Sequence, residues 1–526
     1  MLAGFAHIAS DAAATALEAG DSPNDVLRLL EVGRGVISSL LLETRTEISD
    51  LQRAHPDLAE RFEALRDRLD SPTHEAPLLT PGGHTPSWEV QTKQRREVDG
   101  QFRQVIADIR SQPGFQGFLL PPGTQELLEA ASPGPIIFIN ASRLRCDAFL
   151  VTSSAIEVLP LPNLKLSELE TKGPVSLRLL ESLWDNIAQP VLDRLGFLQH
   201  PVSDEGLPHV WWISVGALSR LPLHAAGYHS EGCSKTVLDR VVSSYSTSIK
   251  GLLHARRSSR QKRMSKPSHD AFLVSMGTTP AHFNLNPTGL RFAGEEIRLL
   301  DNILSADISR TKLRQPCKKD ILHHIEKCTI FHFAGHGVSD PLDPSQSCLL
   351  LQDWMDNPLT VENLTSINLS RKTPWIAYLS ACSTGENQAE RLQDESIHLV
   401  NACQLAGFPH VVGSLWMIDD ECSADAAAEV YRTIQERGWT DESVALGVHN
   451  AAILLRQKTS GESREVRARR ADMKLVDRGN PGEARNAVSW FNGDRDLSNS
   501  LRGLEDYAVR SEGNPAIWAA YIHVGP

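Results

Sequence analysis

The chain predicts an α/β fold, a mostly parallel sheet flanked by helices and preceded by an all-α N-terminal region. Three observations carry that reading. Apolar residues recur at helical spacing through the first 130 residues. From Pro133 onward, short apolar runs alternate with helical stretches. Several of those runs are apolar throughout rather than at every second residue, as strands buried on both faces are.

Ser22 and Pro23 make a cap and first-turn pair, followed by Val26, Leu29, Leu30, Val36, Ile37, Leu40 and Leu41 at helical spacing. Pro56 interrupts that run. Further helices are expected over 57–69 (DLAERFEALRDRL) and 88–109, on either side of a Pro/Gly-containing linker at 71–86. Strands are expected at 135–140 (PIIFIN), 148–152 (AFLVT), 156–160 (IEVLP), 210–214 (VWWIS), 271–275 (AFLVS) and 329–334 (TIFHFA). Three more follow at 375–381 (WIAYLSA), 410–417 (HVVGSLWM) and 518–524 (WAAYIHV), with helices over 359–367, 397–406, 424–437 and 445–456. Two basic stretches without periodicity, 256–266 (RRSSRQKRMSK) and 461–474 (GESREVRARRADMK), read as solvated loops; the alternative is a processing or docking segment, since exposed strings of Arg and Lys are easily cut.

At 526 residues the chain exceeds what one core usually holds. The expected division is a helical region over 1–131 and an α/β domain over 132–526, the latter in two halves, 132–270 and 271–526. A hydrophobic fraction of 41% and a charged fraction of 22% exclude wholesale disorder. Lys and Arg number 53 against 65 Asp and Glu, a net charge of −12, so no global field draws phosphate backbones and no nucleic-acid partner is expected. No apolar run is long enough for a membrane span. The N-terminus lacks the basic leader of a signal or transit peptide. The eight cysteines are scattered with no Cys-x-x-Cys pair, the usage of reduced thiols in a cytoplasmic protein.

Two segments, 331–337 (FHFAGHG) and 379–385 (LSACSTG), carry a strand straight into a small-residue turn. Those turns present His336 and Cys382. A thiol attacks as its thiolate, so it needs an imidazole to take the proton and donors for the oxyanion that forms. The histidine precedes the cysteine by 46 residues, the order and approximate spacing of caspase-type peptidases. If the two strands are neighbours, both groups lie beyond the carboxyl ends of the sheet, where open α/β folds collect their chemistry. His323, His324, Cys328, His332 and His336 are dense enough to suggest a zinc site, but a helix over 320–327 followed by a strand sends those side chains apart. No metal and no cofactor is expected. The absence of Gly-x-Ser-x-Gly and of a phosphate-cradling glycine loop argues against a serine hydrolase and an NTPase.

Five stretches together resemble one family. They are 221–224 (LPLH) after Trp211-Trp212-Ile213, the FHFAGHG and LSACSTG blocks, 406–420 (AGFPHVVGSLWMIDD) and the closing WAAYIHVGP. The resemblance is to the CHAT peptidases, relatives of caspases and separases whose catalytic domain often follows tetratricopeptide repeats, and it covers about Pro133 to Pro526. It implies a caspase-like fold in which His336 is the general base and Cys382 the nucleophile, with the amides of Gly337 and Cys382 binding the oxyanion. It also implies that Ser414, Leu415 and Trp416 pair with the substrate backbone and that Asp419 meets a basic side chain. Asp419 and Asp420 are equally suited to capping the helix expected near Ser423. The N-terminal helices resemble a terminal repeat and linker, through which a regulatory protein would act. The expected function is a cysteine endopeptidase that cleaves a protein partner; the alternative is a catalytically silent scaffold.

Overall fold

The computed structural model describes residues 7–36, 38, 48, 51–70, 88–165, 175–198, 206–214, 216–230, 233–263, 270–280, 289–369, 372, 374–461 and 514–526. The chain forms two compact units: Met1–Ser38 together with Thr124–Pro526, and Ser39–Gly123.

Among the described residues of the larger unit, eleven strands build one sheet and three short ones a second. The strands are β1 (Ile136–Ala141), β2 (Cys146–Val151), β3 (Ile156–Pro160), β4 (His209–Ser214), β5 (Val242–Tyr245), β6 (Asp270–Ser275) and β7 (Ser309–Arg314). They continue with β8 (Ile330–Ala334), β9 (Gly337–Val338), β10 (Cys348–Leu349), β11 (Leu359–Thr360), β12 (Ile376–Ser380), β13 (His410–Ser414) and β14 (Tyr521–Val524). The large sheet runs β3-β2-β1-β4-β5-β14-β13-β12-β8-β6-β7, and β9, β10 and β11 form the small one. Two parallel blocks, β1-β4-β5-β14 and β13-β12-β8-β6-β7, point in opposite directions and meet at the antiparallel pair of β13 and β14. The mostly parallel sheet expected from the sequence is therefore observed, with the last strand of the chain closing the seam. Every residue of β1, β8 and β12 is buried, which is why those strands read as unbroken apolar runs.

The helices are α1 (Ile8–Ala19), α2 (Pro23–Gly33), α3 (Pro56–Asp70), α4 (Trp88–Arg110), α5 (Thr124–Ala130), α6 (Leu177–Leu183), α7 (Gln189–Arg194) and α8 (Ile249–Arg263). After them come α9 (Ala293–Ile303), α10 (Lys318–Ile325), α11 (Val361–Ser366), α12 (Leu399–Ala406), α13 (Asp420–Arg437), α14 (Asp441–Gly461) and α15 (Pro515–Trp518). Ser22 caps α2 as expected, its hydroxyl accepting the Asp25 N–H with Pro23 in the first turn. Val26, Leu27 and Leu30 of α2 and Ala13 of α1 pack with Ile136, Phe138, Phe149 and Trp211 of the sheet. In the smaller unit α3 and α4 pack around Phe62, which meets the Phe118 ring edge-on at 5.4 Å. Among the described residues no helix is long and apolar enough to cross a membrane.

The basic stretch at 256–266 is not a loop as far as 263, where α8 ends. Ile249, Leu252 and Ala255 bury one face of that helix, so its apolar spacing begins upstream of the basic residues. Arg256 is itself buried, with its guanidinium 4.3 Å from the Trp211 ring centre and donating to the Ala130 carbonyl. Residues 264–266 and 462–474, the linker at 71–86, and Ile37, Leu40 and Leu41 lie outside the described residues. The strand expected to begin at Trp518 begins instead at Tyr521, because 515–518 coil into α15.

Candidate active site

β8 and β12 are adjacent and parallel, with Ala334 opposite Ser380. Each chain then turns within two residues, to His336 on one side and Cys382 on the other. The Gly335 N–H donates to the Ser380 carbonyl at 3.0 Å, carrying the pairing one step beyond the strands. Space at 335 favours glycine: a Cβ there would lie 2.7 Å from the Phe333 ring and 3.0 Å from Met276. At Gly337 a Cβ would lie 2.7 Å from the Cys382 carbonyl oxygen, so the backbones of the two turns touch.

The cysteine turn is held tightly. Ser383 takes the left-handed conformation, φ +54°, which is uncommon for a side chain larger than glycine. Its N–H donates to the Trp416 carbonyl at 3.3 Å, and Gly385 N–H to the Ser414 carbonyl at 2.8 Å. The Ser414 N–H donates to Thr384 Oγ1 at 2.9 Å and its hydroxyl to the Ala381 carbonyl at 2.8 Å. The Leu415 N–H donates to the Ala520 carbonyl. Ser414, Leu415 and Trp416 therefore already use most of their backbone groups inside the chain, and pairing with a substrate strand at 414–415 would require those bonds to break.

His336, Cys382, Glu296, Ser380, Ile418, Asp420 and Ser423 line one cavity of about 20 Å³, room for a single water. Cys382 is half-buried, and burial pushes its thiol up to about 11; a hydrogen bond from the Ile418 backbone opposes that shift and the nearby Asp420 adds to it. At neutral pH the resting group is a thiol. Burial also raises Asp420, while the amides of Phe292 and Arg291 at the start of α9 favour its charged form. The Phe292 N–H donates to Asp420 Oδ2 at 2.8 Å.

Asp419 turns elsewhere. It is the N-cap of α13, its Oδ1 accepting the N–H groups of Glu421 and Cys422, each at 3.2 Å. It is Asp420, one residue on, that reaches the cavity wall. Glu296 is not legible in the sequence as a site residue, although it interrupts an apolar helix face formed by Ala293, Ile297 and Leu300. A larger cavity, about 730 Å³, opens beside Arg143, Arg145 and Lys165 and includes neither His336 nor Cys382.

The loop after Cys382 is tied to the N-terminal helices of the same unit. Asp394 accepts the His7 N–H on Oδ2 at 2.9 Å and the Gly35 N–H on its carbonyl at 2.8 Å. Asn401 donates to Ser38 Oγ and to the Ser396 carbonyl, both at 2.8 Å. Buried Arg34 lies close enough to Asp394 to be stabilised by its charge.

A family model described as the CHAT domain matches residues 177–526. No curated protein matches the chain. Among solved structures, the Arg-specific cysteine proteinase gingipain R is 10% identical with a TM-score of 0.34, the match covering 51% of this chain and 63% of that one. The Saccharomyces cerevisiae separase–securin complex is 10% identical with a TM-score of 0.36, covering 90% of this chain and 27% of that one. The chain thus spans less than two thirds of either protein.

Proposed function

The chain belongs to the CHAT domain family, and on that premise we propose that it is a cysteine endopeptidase acting on a protein partner through Cys382 and His336. The observation that carries this reading is the register of β8 and β12, which brings the imidazole and the thiol to one cavity. His336 takes the Cys382 proton, and the sulfur attacks the scissile carbonyl carbon. The tetrahedral oxyanion is held by the amides of Gly337 and Cys382. Collapse expels the amine, which leaves with the proton from His336, and water then hydrolyses the thioester. An acid at 419–420 favours a basic side chain before the scissile bond, and Asp420 is better placed for it than Asp419, which caps a helix.

The domain division near 131, with residues 132–526 as the catalytic domain in two halves, belongs to this proposal. So do the repeat-like character of the N-terminal helices and a regulatory protein acting through them, supported by the bonds that tie Asp394 to His7 and Gly35. Eight free cysteines suit work in the reducing cytoplasm. A second reading, the silent scaffold, has one observation in its favour: the resting cavity admits no more than a water.

A peptide library incubated with the protein and read by mass spectrometry decides between them. The peptidase reading expects new termini produced by the native chain and by neither Cys382→Ala nor His336→Ala. Cleavage that survives Cys382→Ala would remove the dyad. Silence from native protein, with and without its partners, would leave the scaffold.

A further inference from the structure

The geometry points to Glu296 as a positioning residue that sets His336 against Cys382, an inference that rests on the dyad reading. Glu296 lies on α9 and is 2% exposed. One carboxyl oxygen is 3.0 Å from His332 Nε2 on β8, and the other accepts the Ser380 hydroxyl at 3.0 Å on β12. His332 lies on the strand that leads into His336, and Ser380 precedes Cys382 by two residues. A single carboxyl group thus grips both strands just beneath the tips that carry the reacting groups, and it lines their cavity.

Packing alone does not explain that choice. His332 is fully buried, stacked on Tyr378 at 4.9 Å and edge-on to Tyr431 at 5.6 Å. Its Nδ1 and the hydroxyls of Tyr378 and Tyr431 are buried without a hydrogen-bond partner among the described residues. Polar atoms left in that condition are costly, and Glu296 partners none of these three, so relieving their burial is not what a carboxyl at 296 does. What Glu296 supplies and an apolar residue does not is a two-ended bond between neighbouring strands. The catalytic geometry tolerates only small displacements, so a brace at this point acts on rate through His336 rather than by touching substrate.

The test is the rate at which iodoacetamide alkylates Cys382 at pH 7.5, followed by peptide mass spectrometry on the full chain, an assay that needs no proteolysis. Alkylation of the buried Cys403 in the same samples reports opening of the fold. With the thiol protonated at this pH, alkylation depends on a base, so His336→Ala is expected to slow it about tenfold or more. Glu296→Gln is expected to slow it about fivefold, and the double variant to be no slower than His336→Ala, because a residue acting through His336 has nothing left to act on. Ser380→Ala, which removes one of the two bonds, moves the rate the same way by less and decides the matter if Glu296→Gln exposes Cys403. A Glu296→Gln rate equal to native, or one whose effect multiplies with that of His336→Ala, overturns the positioning role while leaving the dyad intact. An unchanged rate in His336→Ala overturns both, and is recognisable as the failure of the dyad.

Discussion

Ala334 and Ser380 face each other across the parallel pair of β8 and β12, and their separation in sequence equals that of His336 and Cys382. His336 and Cys382 are therefore each the same two steps past a matched pair, so strand register brings both residues to one cavity. One consequence falls on Gly337, whose backbone lies against the Cys382 carbonyl.

Gly337→Val places a Cβ 2.7 Å from that carbonyl and must displace one turn from the other. Displacing an oxyanion donor costs about a hundredfold in rate or more, so peptide cleavage should fall at least that far, and the clash with backbone should lower the melting temperature as well. Gly335→Ala is the contrast: its Cβ meets the Phe333 ring rather than the cysteine turn, so overpacking of about 1–3 kcal/mol should lower the melting temperature with a smaller loss of rate.

Neighbouring aspartates should separate cleanly. Asp419→Ala removes the cap of α13, an expected loss of about 1 kcal/mol of stability without a change in which residues are cut. Asp420→Asn removes charge from the cavity wall and should lower cleavage after Arg more than cleavage after Leu. Profiling both variants on one peptide set checks the assignment, and equal losses after Arg and Leu in Asp420→Asn would take that residue out of the primary pocket.

Burial raises the Cys382 thiol to about 11, so the folded chain holds this proton more firmly than the unfolded chain, whose thiol titrates near about 8.5. The stability gained by keeping the thiol neutral is whole below that lower value and is lost as pH climbs towards 11. Denaturant unfolding of native protein and Cys382→Ser should accordingly differ by a constant amount up to about pH 8.5. Above it the native chain should lose stability faster, and parallel curves up to about pH 11 would contradict the burial argument.

Asp394 joins the loop after Cys382 to the first two helices. Asp394→Ala should speed hydrogen exchange at 386–396 by about tenfold, roughly the loss of 1–2 kcal/mol of local protection, and leave β1 and β12 unchanged. Exchange in that loop equal to native would mean that the N-terminal contacts do not hold it.

The central strands and both tips are legible in the sequence because burial on two faces writes unbroken apolar runs, and glycine marks a turn that admits no Cβ. β7 escapes such a reading because its six residues, SRTKLR, are half-exposed at the sheet edge and carry no apolar run. α8 reads as a loop over 256–263 because an arginine stacked on Trp211 looks, in sequence, like a solvated one. The pair of aspartates can be located but not told apart, since helix capping depends on where α13 starts. Glu296 is hidden for a different reason: its partners, His332 and Ser380, lie 36 and 84 residues away and meet it only through the sheet.

The most direct measurement is labelling by a peptidyl acyloxymethyl ketone carrying arginine next to the warhead, with the modified residue mapped by mass spectrometry. The dyad account predicts an adduct on Cys382 in native protein, none in Cys382→Ala, and labelling about a hundredfold slower in His336→Ala. An adduct on another cysteine, or a rate indifferent to the loss of His336, would contradict it.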